Sequence, residues 1–117
     1  MYDLQKSEIL RDKRDFNYVY TNGRSYANKN LVVHVLSDER FNGKIGFAAG
    51  KKLGGAVVRN RVKRLLREAY RLCKENLRKD VAIILMGRKN LVDAKVDVAV
   101  KAFRDICKKA KLVVSEQ

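Results

Sequence analysis

The sequence predicts an α+β sandwich, with helices laid against one small sheet. Three observations predict it. Three segments carry apolar residues at helical spacing, and the segments between them have the length and composition of strands. The two kinds follow one another in the order α-β-β(-β)-α-β-α. No proline, Ser/Gly-rich linker or internal repeat interrupts the 117 residues, so residues 1–117 read as one domain.

The first element is DKRDFNYVYTNG. Asp12 is placed to cap it, and Phe16, Val19 and Tyr20 fall on one helical face. Gly23 stands where a C′ glycine would end the helix. Ser25–Asn28 supplies a candidate short strand, and Asn30–Ser37, rich in β-branched residues, a clearer one. The polar stretch Asp38 to Gly43 contains an Asn-Gly turn signal. In the strand that follows, Lys44 to Gly50, Ile45, Phe47 and Ala49 line one face. Gly46, Ala48 and Gly50 leave the other face nearly bare, open to close approach by a backbone or ligand.

A basic loop with two glycines, Lys51 to Gly55, then opens into the stretch Ala56 to Arg78. At about 100° per residue, Val58, Val62, Leu65, Leu66, Ala69 and Cys73 gather on one face. Lys63, Arg64, Arg67, Arg71, Lys74 and Arg78 gather on the other, with Arg59 and Arg61 on the shoulders and Asn60 pointing out. Asp80 to Gly87 is a near-continuous apolar run, suited to a central strand buried on both sides. A basic connection, Arg88-Lys89-Asn90, leads to a last helix over Asp93 to Ala110.

The charge balance narrows the function. The chain has 27 Lys and Arg against 13 Asp and Glu, a net charge of +14. Such an excess destabilises a compact state by self-repulsion and calls for a polyanion. Nucleic acid is the leading candidate, because neutralised phosphates release condensed counterions. An anionic membrane would call for bulky apolar residues opposite the lysines; the face here is Val, Leu, Ala and Cys, the look of ordinary core. No apolar run approaches the roughly 18–20 residues of a membrane span. The N-terminal MYDLQKSEIL has an early acid and no apolar stretch, so no secretory signal is expected. Cys73 and Cys107 are too few for a disulfide scaffold or zinc site and read as buried, reduced thiols. A cytoplasmic location is expected.

Residues 51–78 hold ten Lys and Arg against Glu68 and Glu75, a local excess of +8. A solvated charged face would interleave acids at i, i+4, and this one offers few. Arginine also suits phosphate, which its planar fork grips in two places. The Gly54-Gly55 loop adds free backbone N–H groups at a positive helix end.

This stretch, GKKLGGAVVRNRVKRLLREAYR with Arg59-Asn60-Arg61 at its centre, resembles the signature of the bacterial ribonuclease P protein subunit. DFNYVYTNGRSYANKNLVV before it and DVAIILMGR after it also match that family's layout. The resemblance implies an αβββαβα sandwich, with a mostly antiparallel four-stranded sheet and one parallel, left-handed βαβ crossover, like domain 2 of ribosomal protein S5. It implies a small basic partner of a catalytic RNA, the two together removing the 5′ leader of precursor tRNA. Arg59, Asn60, Arg61, Lys63, Arg64 and Arg67 match the motif helix implied to contact the catalytic RNA, and Arg71 extends that face. Phe16 and Tyr20 match aromatic positions implied to bound a cleft for the single-stranded leader. His34 and Phe47 lie on strands expected to floor it, with Lys51, Lys52 and Lys89 at its edge. Each ring taken alone reads as core packing, and a solitary histidine on a strand as a plain strand residue; the family pattern is what points to the cleft.

No His/Asp/Glu cluster has metal-ligand spacing, and no Ser/His/Asp set, Cys/His set or P-loop is evident. The expectation is therefore that no protein residue is catalytic and no protein motif binds metal. Mg²⁺ is expected at the RNA active site of the holoenzyme. The expected partners are the catalytic RNA and precursor tRNA, with one protein per RNA and no membrane. Two other classes stay open at this point: a non-catalytic ribosomal or general RNA-chaperone protein, which would share the charge and size, and a stand-alone protein nuclease, which requires activity from the RNA-free protein.

Overall fold

A computed structural model describes residues 6–114; the first five residues of the segment read for a secretory signal lie outside it. The elements are α1 (Lys13–Asn22), β1 (Arg24–Ala27), β2 (Leu31–Leu36), β3 (Ile45–Ala49), α2 (Ala56–Cys73), β4 (Ala82–Gly87) and α3 (Val96–Lys109), joined in part by short 3-10 turns. The order is αβββαβα. The sheet runs β1-β2-β4-β3, antiparallel except for the parallel pair β3·β4. Parallel neighbours cannot be joined by a tight hairpin, and α2 provides the crossover between them.

Strand β4 sits inside the sheet and is buried on both faces. Ile83 and Leu85 face a larger core built from α2, α3 and the inner sides of β2 and β3, with Val62, Leu66, Phe103 and Ile106 fully enclosed. Ala82 and Ile84 face a smaller core with Leu10, Leu36 and Val19 of α1. Each such Val, Leu, Ile or Phe side chain removed from water contributes roughly 1.5–3 kcal/mol. The sandwich is thus uneven: two helices cover one face, and a single ten-residue helix lies on the other.

Two local expectations change. Asp12 does cap α1, accepting from the Arg14 N–H at 2.9 Å. Gly23 does end the helix, but its φ of −90° is not left-handed. A side chain there would instead strike the carbonyl oxygens of Val35 and Val19, at 2.6 and 2.7 Å from its Cβ, so glycine lets the chain pass closely against β2. Helix α2 stops at Cys73, five residues short of Arg78. Leu77 turns extended, pairs with Val113, and is buried, while the Arg78 N–H donates to the Leu112 carbonyl. Periodicity reports a helical face but not this pairing with the distant tail.

Candidate nucleic-acid interface

On the α1 side, strand register arranges the exposed sheet in rows. Gly46, Ile84, His34 and Ser25 form one row; Ala48, Met86, Val32 and Ala27 form the next, towards the C-terminal ends of β3 and β4. The first row is met by aromatic side chains of α1. Phe16 lies on Gly46, where a Cβ would come within 2.7 Å of the ring, and Tyr20 meets His34 edge-on at 4.7 Å. Phe16 and Tyr20 touch in turn, with centroids 6.0 Å apart. The bare face read from the Gly46-Ala48 alternation is therefore real, and its first occupant is the protein's own Phe16.

The second row is only partly covered. Ala48, Met86 and Val32 are half-buried and Ala27 is exposed, which leaves an apolar strip of sheet open beside an aromatic wall. Because β3 and β4 are parallel, their C-terminal ends emerge together. Lys51 and Lys52 follow β3, Lys89 follows β4, and Lys29 projects from the β1–β2 turn; all four are exposed. Arg88 holds that turn in place, donating to the Asn28 carbonyl at 2.9 Å. The result is a groove with a flat apolar floor, rings along one side and cations at one end.

The structure brings together Phe16, Tyr20 and His34, with Lys51, Lys52 and Lys89 at the margin. It does not bring Phe47 to them. Phe47 pairs with Leu85 in the larger core, one residue out of phase with the row that holds His34. It is 8% exposed, packs on Tyr70 and carries the Arg67 guanidinium 5.2 Å above its ring. The floor joins Ala48 of the bare β3 face to Val32 and Met86, which the sequence does not single out. Their alternation was visible, but which rows align depends on pairing partners distant in the chain.

Burial pushes the His34 pKa below its usual value, which favours the uncharged ring at pH 7. Burial likewise raises the Tyr20 phenol and keeps it protonated. On the far side of the molecule, desolvation pushes Cys107 up to about 12 and raises Cys73, so both remain buried thiols.

The basic face of α2 divides along its length. Asn60, Arg64 and Arg67 are exposed and Lys63 is half-buried. No carboxylate among the described residues pairs with Lys63, Arg64 or Arg67. Arg61 leans to the start of α3, donating to the Val92 carbonyl at 3.2 Å and lying 3.7 Å from Asp93. Arg59 is half-buried, and its Nε is enclosed without a hydrogen-bond partner among the described residues. Further on, Arg71 pairs with Glu68, Lys74 with Glu8 at 2.8 Å, and Arg78 grips Asp80 through two bonds of 2.9 Å. Those guanidinium groups hold the Glu68 and Asp80 carboxyls below the usual carboxylate range.

Among the described residues no helix is long and apolar enough to cross a membrane, and no three His, Cys, Asp or Glu gather as a metal site. A small, strongly basic α+β fold that leaves open a ring-walled sheet face and a row of cations with no carboxylate partner among the described residues defines an RNA-binding protein. The family model described as Ribonuclease P matches residues 4–111. The ribonuclease P protein component of Symbiobacterium thermophilum is 45% identical over 91 residues, 77% of this chain and 79% of that protein. The component from Alkaliphilus metalliredigens is 34% identical over 110 residues, 94% of this chain and 99% of that protein. The solved Staphylococcus aureus RNase P protein superposes with a TM-score of 0.81 at 28% identity, covering 93% of this chain and all of that one.

The chain belongs to the bacterial ribonuclease P protein family. Membership makes it a subunit of the ribonuclease P holoenzyme, a partner of the RNA subunit, with a role in maturing tRNA 5′ ends. A ribosomal or general chaperone role is not favoured.

Proposed function

We propose that the first part of α2, through Arg67, docks on the catalytic RNA, while the ring-walled groove holds the 5′ leader of precursor tRNA. The observation that carries this is the open second row of the sheet beside Phe16, Tyr20 and His34. Unpaired nucleotides present π-faces, and stacking on aromatic side chains contributes roughly 1–3 kcal/mol per base without strong sequence preference. The lysines at the groove's end screen the leader's phosphates. Arg59, Asn60, Arg61, Lys63, Arg64 and Arg67 are assigned to the catalytic RNA. Arg61 and Arg71 each have a carboxylate already, Asp93 and Glu68, and rank behind the others; Phe47 supports Arg67 rather than flooring the groove.

In this reading the reaction is carried by the RNA, with Mg²⁺ held there. The described protein residues offer no cluster suited to that ion, so no step is assigned to a protein–metal site. The protein contributes charge neutralisation and substrate positioning. Product lacks the leader, so the groove favours substrate over product. One protein per RNA, acting in the cytoplasm as a single RNA-binding domain, completes the proposal.

The test is the double substitution Phe16→Ala, Tyr20→Ala in the reconstituted holoenzyme. Affinity for precursor tRNA is expected to fall roughly tenfold or more, from the loss of stacking, with mature tRNA affinity unchanged. Equal weakening of both would contradict the groove assignment.

A further inference from the structure

Helices α1 and α2 lie on opposite faces of the sheet, and side chains from both reach the outer strand β3. The lower part of its free edge is closed by the N-terminal segment: Ile9 bridges Ile45, and the Leu10 N–H donates to the Ile45 carbonyl at 2.8 Å. The chain then leaves the edge through Arg11 to enter α1. By the alternation of a parallel ladder, the next outward-facing residue is Phe47. No described residue hydrogen-bonds to its outer backbone.

At this gap lies a hollow of about 400 Å³, with Ile9 and Leu10 among its lining residues. Three cations border it, two from one side and one from the linker: Lys63 and Arg67 from α2, Arg11 ahead of α1. None has a carboxylate partner among the described residues. Two rings complete the lining. Phe16 is half-buried and lines the hollow as well as meeting the groove floor; Phe47, nearly buried, seats the Arg67 guanidinium. Fixing that guanidinium on a ring removes rotamer freedom that an anion would otherwise have to quench.

We propose that this hollow is a nucleotide seat. It takes one phosphodiester of an RNA strand, with the phosphate among Arg11, Lys63 and Arg67 and an adjoining base against the exposed part of Phe16. The inference rests on the reading that groove and helix both meet RNA, and it adds that the two surfaces are continuous around the β3 edge. It also brings in Arg11, which no pattern in the sequence singles out. The strand is either the substrate's leader or a segment of the catalytic RNA, since a phosphodiester is common to both.

Arg11 is exposed, so Arg11→Gln and Arg11→Lys can be compared in the reconstituted holoenzyme without disturbing the core. Two log–log salt dependences are measured: protein binding to the RNA subunit, and holoenzyme binding to precursor against mature tRNA. Arg11→Gln is expected to lower one slope by about one unit, and Arg11→Lys to restore it. A change confined to leader-bearing substrate assigns the seat to the leader; a change in RNA-subunit binding assigns it to the catalytic RNA. If neither slope moves, the seat is refuted. Should Arg64→Ala with Arg67→Ala still lower the RNA-subunit slope in that case, the broader reading survives; should that pair also be silent, both fall together.

Discussion

The two halves of the α2 basic run look alike in sequence and differ in what the fold gives them. Lys63, Arg64 and Arg67 have no carboxylate partner among the described residues, and Arg67 lies over a ring; Arg71, Lys74 and Arg78 each meet a carboxylate. A cation with its own carboxylate already has a counter-ion, and a phosphate must compete for it. A cation without one gains most from a polyanion, because the condensed ions released on docking supply the free energy. The same charge therefore serves binding at one end of the run and structure at the other.

The sharpest way to break this contrast is to remove two charges from each half. Arg64→Ala with Arg67→Ala is expected to lower the log–log salt slope of RNA-subunit binding by up to about two units. Arg71→Ala with Arg78→Ala is expected to leave it nearly unchanged. Equal slopes for the two pairs would erase the distinction.

A second variant sharpens it from the other direction. Glu68→Gln removes one carboxylate from the basic face of α2, and the slope should rise by at most about one unit. Acid does the same. The Glu68 carboxyl is held below its usual range by Arg71, so the pair's contribution is complete above the ordinary carboxylate pKa and is lost as pH falls through the lower folded value. An NMR titration of Glu68 should show that low midpoint, and Arg71→Ala should return it to the usual range.

The smallest expected effect lies at the structural end. Lys74 and Glu8 are 14% and 24% exposed, which puts their pair above a fully solvated one. Lys74→Ala should cost about 1 kcal/mol in denaturant unfolding while leaving the salt slope alone.

These differences also mark what was legible in the sequence. Helical faces follow from local geometry, so the apolar stripe and basic face of α2 could be read directly. The Arg71–Glu68 pair sits at i, i+3 and was visible in principle. Lys74 meets Glu8 only because the chain folds back across 66 residues, and Leu77 leaves the helix to pair with Val113. Strand faces were legible one at a time: the bare side of β3 and the doubly buried β4 both hold. Their alignment was not, and so Phe47 was grouped with His34 although the register sets them on opposite faces. Gly46 showed that something would come close, without showing that Phe16 would be first to arrive.

The most direct measurement is proximity in the assembled particle. A photoactivatable group is attached to one cysteine introduced at position 64 or at position 78, with the buried Cys73 and Cys107 left in place. Crosslinking from position 64 to the catalytic RNA, and little or none from position 78, is the expected result. Absence of RNA crosslinks from position 64, in a particle that still matures tRNA, would contradict the assignment of this helix to the RNA.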